Sequence, residues 1–178
     1  MEPLSEEQII DGCCQGNRVA MQALYNQYAA KMFAICRRYI KDVSIAQDLL
    51  HDGFMIVFEK IGGFRKEGSF EGWMKRVFVT TVLGYIRKKK LADMAYDYEE
   101  TLKIEDDSPV ALDILSSKEI LLCIDKLPDG YRTVLNLFAV EGYSHKEISE
   151  ILNISEGTSR SQYSRARSAL QKMLSDII

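Results

Sequence analysis

Side chains that could perform covalent or metal chemistry are few in this sequence and stand far apart. The two histidines, His51 and His145, accompany no serine or cysteine nucleophile in a known motif and match no metal-ligand spacing. The chain has no glycine-rich phosphate loop. The four cysteines form no C-x-x-C pair, which favours free thiols in a reducing cytosol; they are Cys13, Cys14, Cys36 and Cys123. We therefore expect no catalysis, no metal and no cofactor.

The most specific pattern lies between residues 142 and 174 and is typical of two helices joined by a tight turn. Ser144 with Glu147 three positions later forms a capping box. Asn153 follows the first helix, where the turn needs a residue that tolerates positive φ. Ser155 is placed to cap the second helix, with Thr158 three residues on. The apolar face of the first helix is formed by Ile148, Ile151 and Leu152.

The second helix of this pair, expected from about 156 to 174, is basic. No acid occurs between Gly157 and Ser175. Such a helix suits the major groove of DNA, where its first turns reach base edges and later arginines meet phosphates. The alternative is an ordinary polar surface helix, and His145 at the start of the first helix is expected on the surface. The positive charges are Arg160, Arg165, Arg167 and Lys172.

A second basic segment runs from 65 to 90 and mixes cations with aromatic rings. Only Glu67 and Glu71 oppose its cations, which are Arg65, Lys66, Lys75, Arg76, Arg87, Lys88, Lys89 and Lys90. This composition suits a surface that holds single-stranded DNA by phosphate contact and base stacking. Burial in a helical core is the alternative for each ring, and we favour it for Phe70 and Trp73. The interleaved rings are Phe64, Phe70, Trp73, Phe78 and Tyr85.

The elements that position these segments are predicted to be helices. Apolar residues recur every three to four positions, as in Leu24, Tyr28, Met32, Ile35 and Tyr39. Three prolines in 178 residues leave few helix breakers, and no run alternates as a strand does. We predict an all-α chain of two small helical domains, at 9–93 and 114–178. No apolar run has signal-peptide or membrane-span character, so a cytoplasmic protein is expected.

Between the two domains we predict an acidic linker at 94–113. Its acids help to give the chain a net charge of −3 although two segments are basic. A tethered acidic segment can compete with DNA for nearby basic surfaces, or it can serve solubility alone; the sequence favours neither. The acids are Asp97, Glu99, Glu100, Glu105, Asp106 and Asp107.

An acidic helix face is predicted in the first domain. Asp48 and Asp52 lie one helical turn apart, with Gln47, His51 and Glu59 nearby. Such a face beside an apolar stripe suits a protein partner that presents arginines, and a merely solvated face is the alternative.

The second domain resembles region 4 of the sigma-70 family of RNA polymerase subunits. The resemblance lies in LPDGYRTVL (127–135), EGYSHKEI (141–148), SEGT (155–158) and SRAR (164–167). These motif sequences resemble versions that are common in Bacteroidota members. Ser149 and Asn153 stand where the family usually has Ala and Gly. The resemblance implies binding of the −35 promoter element and the β flap of the polymerase. The implied −35 contacts are Ser155, Thr158, Ser159, Arg160, Ser161, Gln162, Tyr163, Arg165 and Arg167.

The first domain resembles region 2 of the same family in ALYNQY (23–28), AQDLLHDGFMIVFEKI (46–61) and GSFEGWMKRVFVTTVLGYIRKKK (68–90). Gly53, Thr80 and Gly84 replace the usual aliphatic, Asn and Asp. The resemblance implies docking on the β′ clamp and reading and melting of the −10 element. The implied clamp contacts are Asp48, Leu49, His51, Asp52, Phe54 and Glu59. The implied −10 contacts are Lys75, Arg76, Thr80, Tyr85, Arg87, Lys88 and Lys89.

The two-domain plan is that of the extracytoplasmic-function (ECF) group, which implies a non-catalytic specificity subunit. Its expected partners are core RNA polymerase, promoter DNA and an anti-sigma factor, with no small-molecule substrate. Two other classes were weighed. A regulator that binds an operator without polymerase needs a ligand pocket or a phosphoacceptor in its N-terminal half, and the βα pattern of a receiver domain is absent from the sequence. An enzyme needs a catalytic motif, and the sequence holds none.

Overall fold

The computed structural model describes residues 4–93 and 117–175. The chain divides into two compact units, 1–88 and 89–178. Within the described ranges every regular element is helical, which confirms the predicted all-α, two-domain fold. The predicted linker at 94–113 lies outside the described residues, and the exact domain boundaries stay a prediction. None of the described helices combines the length and the apolar character that crossing a membrane requires.

Four helices and a short 3₁₀ turn make up the described part of the first unit, and the last helix continues five residues past residue 88. They are α1 (Glu6–Cys14), α2 (Arg18–Tyr39), α3 (Val43–Lys60), the 3₁₀ turn Ile61–Gly63 and α4 (Phe70–Asp93). Side chains cap all four helices, at Ser5, Asn17, Asp42 and Ser69. Asn17 Oδ1 accepts from Val19 N at 2.8 Å, and Asp42 Oδ1 accepts from Ile45 N at 3.0 Å. Such caps satisfy amide groups that the first turn of a helix leaves unpaired.

The apolar stripe predicted on α2 forms the centre of the first core. Leu24 and Met32 are 0% exposed, and Tyr28, Ile35 and Tyr39 are at most 4% exposed. Helices α3 and α4 face them with further buried side chains, so the hydrophobic effect holds the unit together. These side chains are Ala46, Leu49, Leu50, Phe54, Val57, Phe70, Met74, Phe78, Val79, Val82 and Leu83.

The contact between α3 and α4 depends on a glycine. A Cβ placed on Gly53 would lie 2.3 Å from Cε1 of Phe78, closer than any real side-chain contact. Phe78 is 0% exposed, and its ring meets the Phe54 ring edge to face with centroids 5.3 Å apart. Gly53 therefore gives up some helix propensity so that an aromatic ring of α4 can pack directly on the backbone of α3.

The described part of the second unit contains four helices and one π-helical turn. They are α5 (Ser117–Lys126), α6 (Asp129–Leu135), the π turn Asn136–Val140, α7 (His145–Leu152) and α8 (Glu156–Ser175). Leu127, Tyr131, Leu135 and Ala166 are buried together at its centre. Helix α8, predicted from about 156 to 174, thus packs one face on α6. The surrounding partly buried side chains are Ile124, Tyr163, Ala169, Leu170 and Met173.

Candidate nucleic-acid interface

The start of α7 is fixed by the predicted capping box. The Ser144 hydroxyl accepts from Glu147 N at 3.3 Å, and Glu147 Oε2 accepts from Ser144 N at 2.8 Å. The hydrogen bonds from Ser144, first its hydroxyl and then its amide, lower the pKa of the Glu147 carboxyl. The carboxylate is therefore the form that completes the cap.

The turn between α7 and α8 also has the predicted chemistry. Asn153 adopts φ 52° and ψ 54°, the left-handed conformation. Ser155 Oγ then accepts from Thr158 N at 2.9 Å and contacts Thr158 Oγ1 at 2.8 Å. A left-handed residue followed at once by an N-cap ends one helix and begins the next within a few residues.

His145 is not the surface residue that was expected. It is half-buried, and its ring stacks on Phe138 with centroids 4.4 Å apart and an interplanar angle of 12°. Its Nδ1 lies 3.0 Å from Oγ of Ser159, which is 0% exposed. Tyr163 completes the cluster, with its ring centroid 4.6 Å from that of Phe138. Ser159 and Tyr163, both implied −35 contacts, therefore face α7 and the π turn, because α8 must bury one face to be held in place.

Replacing His145 with alanine is expected to destabilise the second unit by about 2 kcal/mol. The change removes a stacked ring and leaves the buried Ser159 hydroxyl without its partner. Hydrogen exchange of the α7 and α8 amides measures the loss. The exposed neighbour Lys146 serves as control, and Lys146→Ala should leave exchange unchanged. Equal protection in the two variants would contradict the role given to His145.

The opposite face of α8 is exposed and basic. Arg160, Arg165 and Arg167 are exposed together with Ser161, on the part of α8 that is not buried against the rest of the unit. Arg160 forms an ion pair with Glu156 one turn earlier. Two other implied contacts, Thr158 and Gln162, are half-buried at the edge of this face. The arrangement can place an α-helix in a major groove with its polar side chains towards the bases.

Helix α4 presents a second basic face. Arg76, Thr80 and Arg87 are exposed and lie one and then two turns apart on one face, and the next two residues, Lys88 and Lys89, are exposed as well. The Thr80 hydroxyl donates to the Arg76 carbonyl at 2.8 Å, so its oxygen remains able to accept a hydrogen bond. Tyr85 is half-buried rather than fully presented.

Lys75 belongs to a different surface from Arg76, its neighbour in sequence. Its Nζ lies 3.0 Å from Glu71 Oε1, and the other oxygen of Glu71 accepts from Lys31 of α2 at 2.7 Å. Lys31 and then Lys75 lower the pKa of the Glu71 carboxyl. Successive residues of a helix are separated by about 100°, so Lys75 lies to the side of the Arg76 face.

The aromatic residues at the start of α4 form a cluster. Phe64 packs against Phe70 and Trp73, with centroids 5.2 and 5.6 Å apart, and Phe70 stacks on Trp73 at 5.5 Å. Phe70 is 2% exposed, whereas Trp73 is half-buried. The favoured burial therefore holds for Phe70, while one part of Trp73 remains open to a ligand.

The acidic face of α3 contains fewer of the assigned clamp contacts than the sequence implied. Asp48, His51, Asp52 and Glu59 are exposed. Leu49 and Phe54, in contrast, are 5% and 2% exposed, and their side chains lie in the core because they point away from that face. The two residues support the face from behind instead of forming its surface.

Met55 is a surface residue that the sequence reasoning missed. It is 59% exposed and lies between Asp52 and Glu59 on the same side of α3. An exposed methionine ringed by acids is typical of a contact surface, since its flexible thioether adapts to a partner. The i, i+4, i+7 spacing from Asp48 to Met55 was the available signal.

Comparison with known proteins agrees with this geometry. Residues 24–91 match the model for Sigma-70 region 2, and residues 117–170 match that for Sigma-70, region 4. The ECF RNA polymerase sigma factor SigW of Bacillus subtilis is 32% identical over 177 residues, which cover 92% of this chain and 93% of SigW. This chain belongs to the ECF sigma factors.

Other ECF and related sigma factors show the same full-length similarity. The RNA polymerase sigma-H factor of Pseudomonas aeruginosa is 26% identical over 185 residues, covering 97% of this chain and 95% of its own. The sigma factor RpoE of Bartonella quintana, solved with the anti-sigma factor NepR, has a TM-score of 0.50 at 20% identity. The alignment covers 86% of this chain and 96% of RpoE, and it supports the fold alone.

Beside the acidic face, this sigma factor has an open groove between α2 and α3. Tyr25, Phe33, Leu50 and His51 contribute to its walls. His51 thus borders both the groove and the acidic face.

The thiols of this sigma factor are mostly inaccessible. Cys13, Cys36 and Cys123 are buried, and Cys14 is exposed. Burial raises the pKa of Cys13 to about 11 and that of Cys36 to about 12. Within residues 4–93 and 117–175, no three metal-ligating side chains come together.

Proposed function

We propose that this ECF sigma factor binds core RNA polymerase and directs it to specific promoters as a non-catalytic specificity subunit. The observation that carries the proposal is that one chain holds both a region 2 and a region 4 domain and resembles SigW along nearly its whole length. A bacterial sigma factor works in the cytoplasm, where the polymerase is. The resemblance to Bacteroidota members is a hypothesis that rests on the motif sequences alone.

The exposed faces suggest how the work is divided. The acidic face of α3, with Met55 at its centre, is the surface that we assign to the β′ clamp. The basic face of α4 is assigned to the −10 element, with Trp73 and Thr80 as the side chains able to meet an unpaired base. The exposed side of α8 is assigned to the −35 element, and the second unit as a whole to the β flap. These assignments follow the domains predicted at 9–93 and 114–178.

An anti-sigma factor is a further expected partner. The Bartonella quintana sigma factor with the same fold was solved with NepR bound. The open groove between α2 and α3, bordered by His51, offers a site of mixed polar and apolar lining on the same helices as the acidic face. A protein that covered this site would compete with polymerase.

The test of the proposed function is transcription with purified components. The full chain is mixed with core RNA polymerase and a library of bacterial promoter fragments, and run-off transcripts are sequenced. We expect stable co-purification with core enzyme and transcripts that begin at a shared promoter sequence. A chain that bound specific DNA alone and never associated with core would be an operator-binding regulator, and the proposal would be wrong.

Arg165 is expected to act on DNA through phosphate. Arg165→Ala should weaken holoenzyme binding equally for all −35 sequences and reduce the salt slope, d log K/d log[salt], by about 1. Lys126, exposed at the end of α5, provides a matched control, because Lys126→Ala removes the same charge from a different helix. A change in base preference, without a change in slope, would instead make Arg165 a base reader.

A further inference from the structure

Helix α8 contains a single acid, and it lies on the side assigned to DNA. Glu156 is the first residue of the helix, and from Gly157 to Ser175 there is no other acid. Its side chain is 45% exposed and is paired with the Arg160 guanidinium, which is 65% exposed. A carboxylate on a DNA-binding face repels phosphates, so its presence there needs a reason.

The ion pair divides α8 into a neutral and a positive part. At the first turns the charges of Glu156 and Arg160 cancel. Further along, Arg165, Arg167 and Lys172 are exposed with no acid on the helix to oppose them. Attraction to the DNA backbone therefore acts mainly on the later turns, while the first turns, which enter the groove, have little net charge.

We propose that Glu156 sets base specificity by positioning Arg160 to read guanine. A guanidinium carries five N–H donors in a fixed fork, and Glu156 engages only one of its ends. The remaining edge can still donate to O6 and N7 of guanine, the commonest base-specific contact of arginine. Glu156 holds the fork in the groove and makes phosphate a poor competitor for it. Glu156 is a positioning residue in this scheme, and the inference rests on the proposed function.

The pair is well suited to this role because it contributes little to folding. Exposed ion pairs add little to stability, since water solvates both charges. In a groove the pair loses water, and the attraction between its charges becomes stronger. Substitution of Glu156 should therefore change DNA reading while the unfolding midpoint stays the same, which separates positioning from structural support.

The experiment uses the full chain with core polymerase and a DNA library randomised over the −35 element. Glu156→Gln keeps the size of the side chain and removes its charge. We expect the preference for guanine at one position to fall about tenfold, the scale of one bidentate contact. Binding to all sequences should become tighter at low salt, with the salt slope steeper by about 1 because Arg160 gains a phosphate contact.

Two comparisons make the result decisive. Glu150→Gln removes the same charge from an exposed position on α7 and should alter neither the base profile nor the slope. In an Arg160→Ala background, Glu156→Gln should have no further effect on base preference. An unchanged profile in Glu156→Gln overturns the proposal, and so does an effect that persists without Arg160. If the wild-type chain fails to bind core or initiate, the proposed function itself is wrong.

Discussion

Gly53→Ala is expected to destabilise the first unit by about 2 kcal/mol, although alanine is the better helix former. The new Cβ would lie 2.3 Å from the Phe78 ring. That ring is fully buried and held by Phe54, so it can yield only by disturbing the core. Urea unfolding followed by fluorescence of Trp73, the single tryptophan, measures the first unit directly.

The matched control is Gly84, a second glycine in the interior of a long helix of this unit. A Cβ on Gly84 of α4 would meet nothing within 4 Å, so Gly84→Ala should stabilise the unit by up to about 1 kcal/mol. Combining Gly53→Ala with Phe78→Leu should cost less than the sum of the two single changes, since the smaller side chain makes room. Equal effects of alanine at Gly53 and Gly84 would disprove the proposed packing role.

Reversing the charge of the acidic face is expected to lower affinity for core polymerase at least about a hundredfold. In the variant with Asp48→Arg and Asp52→Arg, like charges would meet across the interface, which costs several kcal/mol. Competition against a labelled wild-type chain for core enzyme measures the loss. The unfolding midpoint should hardly change, because both carboxylates are exposed and outside the core.

A control with the same change in net charge separates the local contact from general electrostatics. Asp11 and Glu67 are exposed acids that lie on α1 and in the loop before α4. Asp11→Arg with Glu67→Arg should leave the affinity for core within about twofold of wild type, since screening limits distant charges. If both double variants bind core like wild type, the acidic face of α3 has no part in the polymerase interface.

Features governed by neighbours in sequence could be predicted from the sequence. The caps at Ser144 and Ser155 and the left-handed Asn153 follow from hydrogen bonds that span at most a few residues. The apolar stripe of α2 follows from helical periodicity in the same way. These patterns were sufficient for the all-α fold and for the position of the basic helix faces.

Features that depend on contacts between distant segments could not be predicted. The packing role of Gly53 could not be predicted, because nothing near it in sequence identifies Phe78 as the ring that fills its space. His145 was assigned to the surface and Ser159 to DNA, although the two side chains meet at the contact between α7 and α8. Which side of a polar helix is buried depends on its partner, and polar side chains can pack at such a contact when they satisfy each other.

The π turn after α6 gives the second unit an unusual backbone hydrogen-bond pattern. Its backbone closes between residues five apart, as Glu141 N donating to the Asn136 carbonyl at 3.0 Å shows. The helix therefore accommodates one more residue per turn than an α-helix, in the manner of an inserted residue. Deleting a residue there would return the segment to ordinary α geometry and change which of its side chains face His145. Phe138 would lose its stacking contact with His145, and the placement of helix α8 would change.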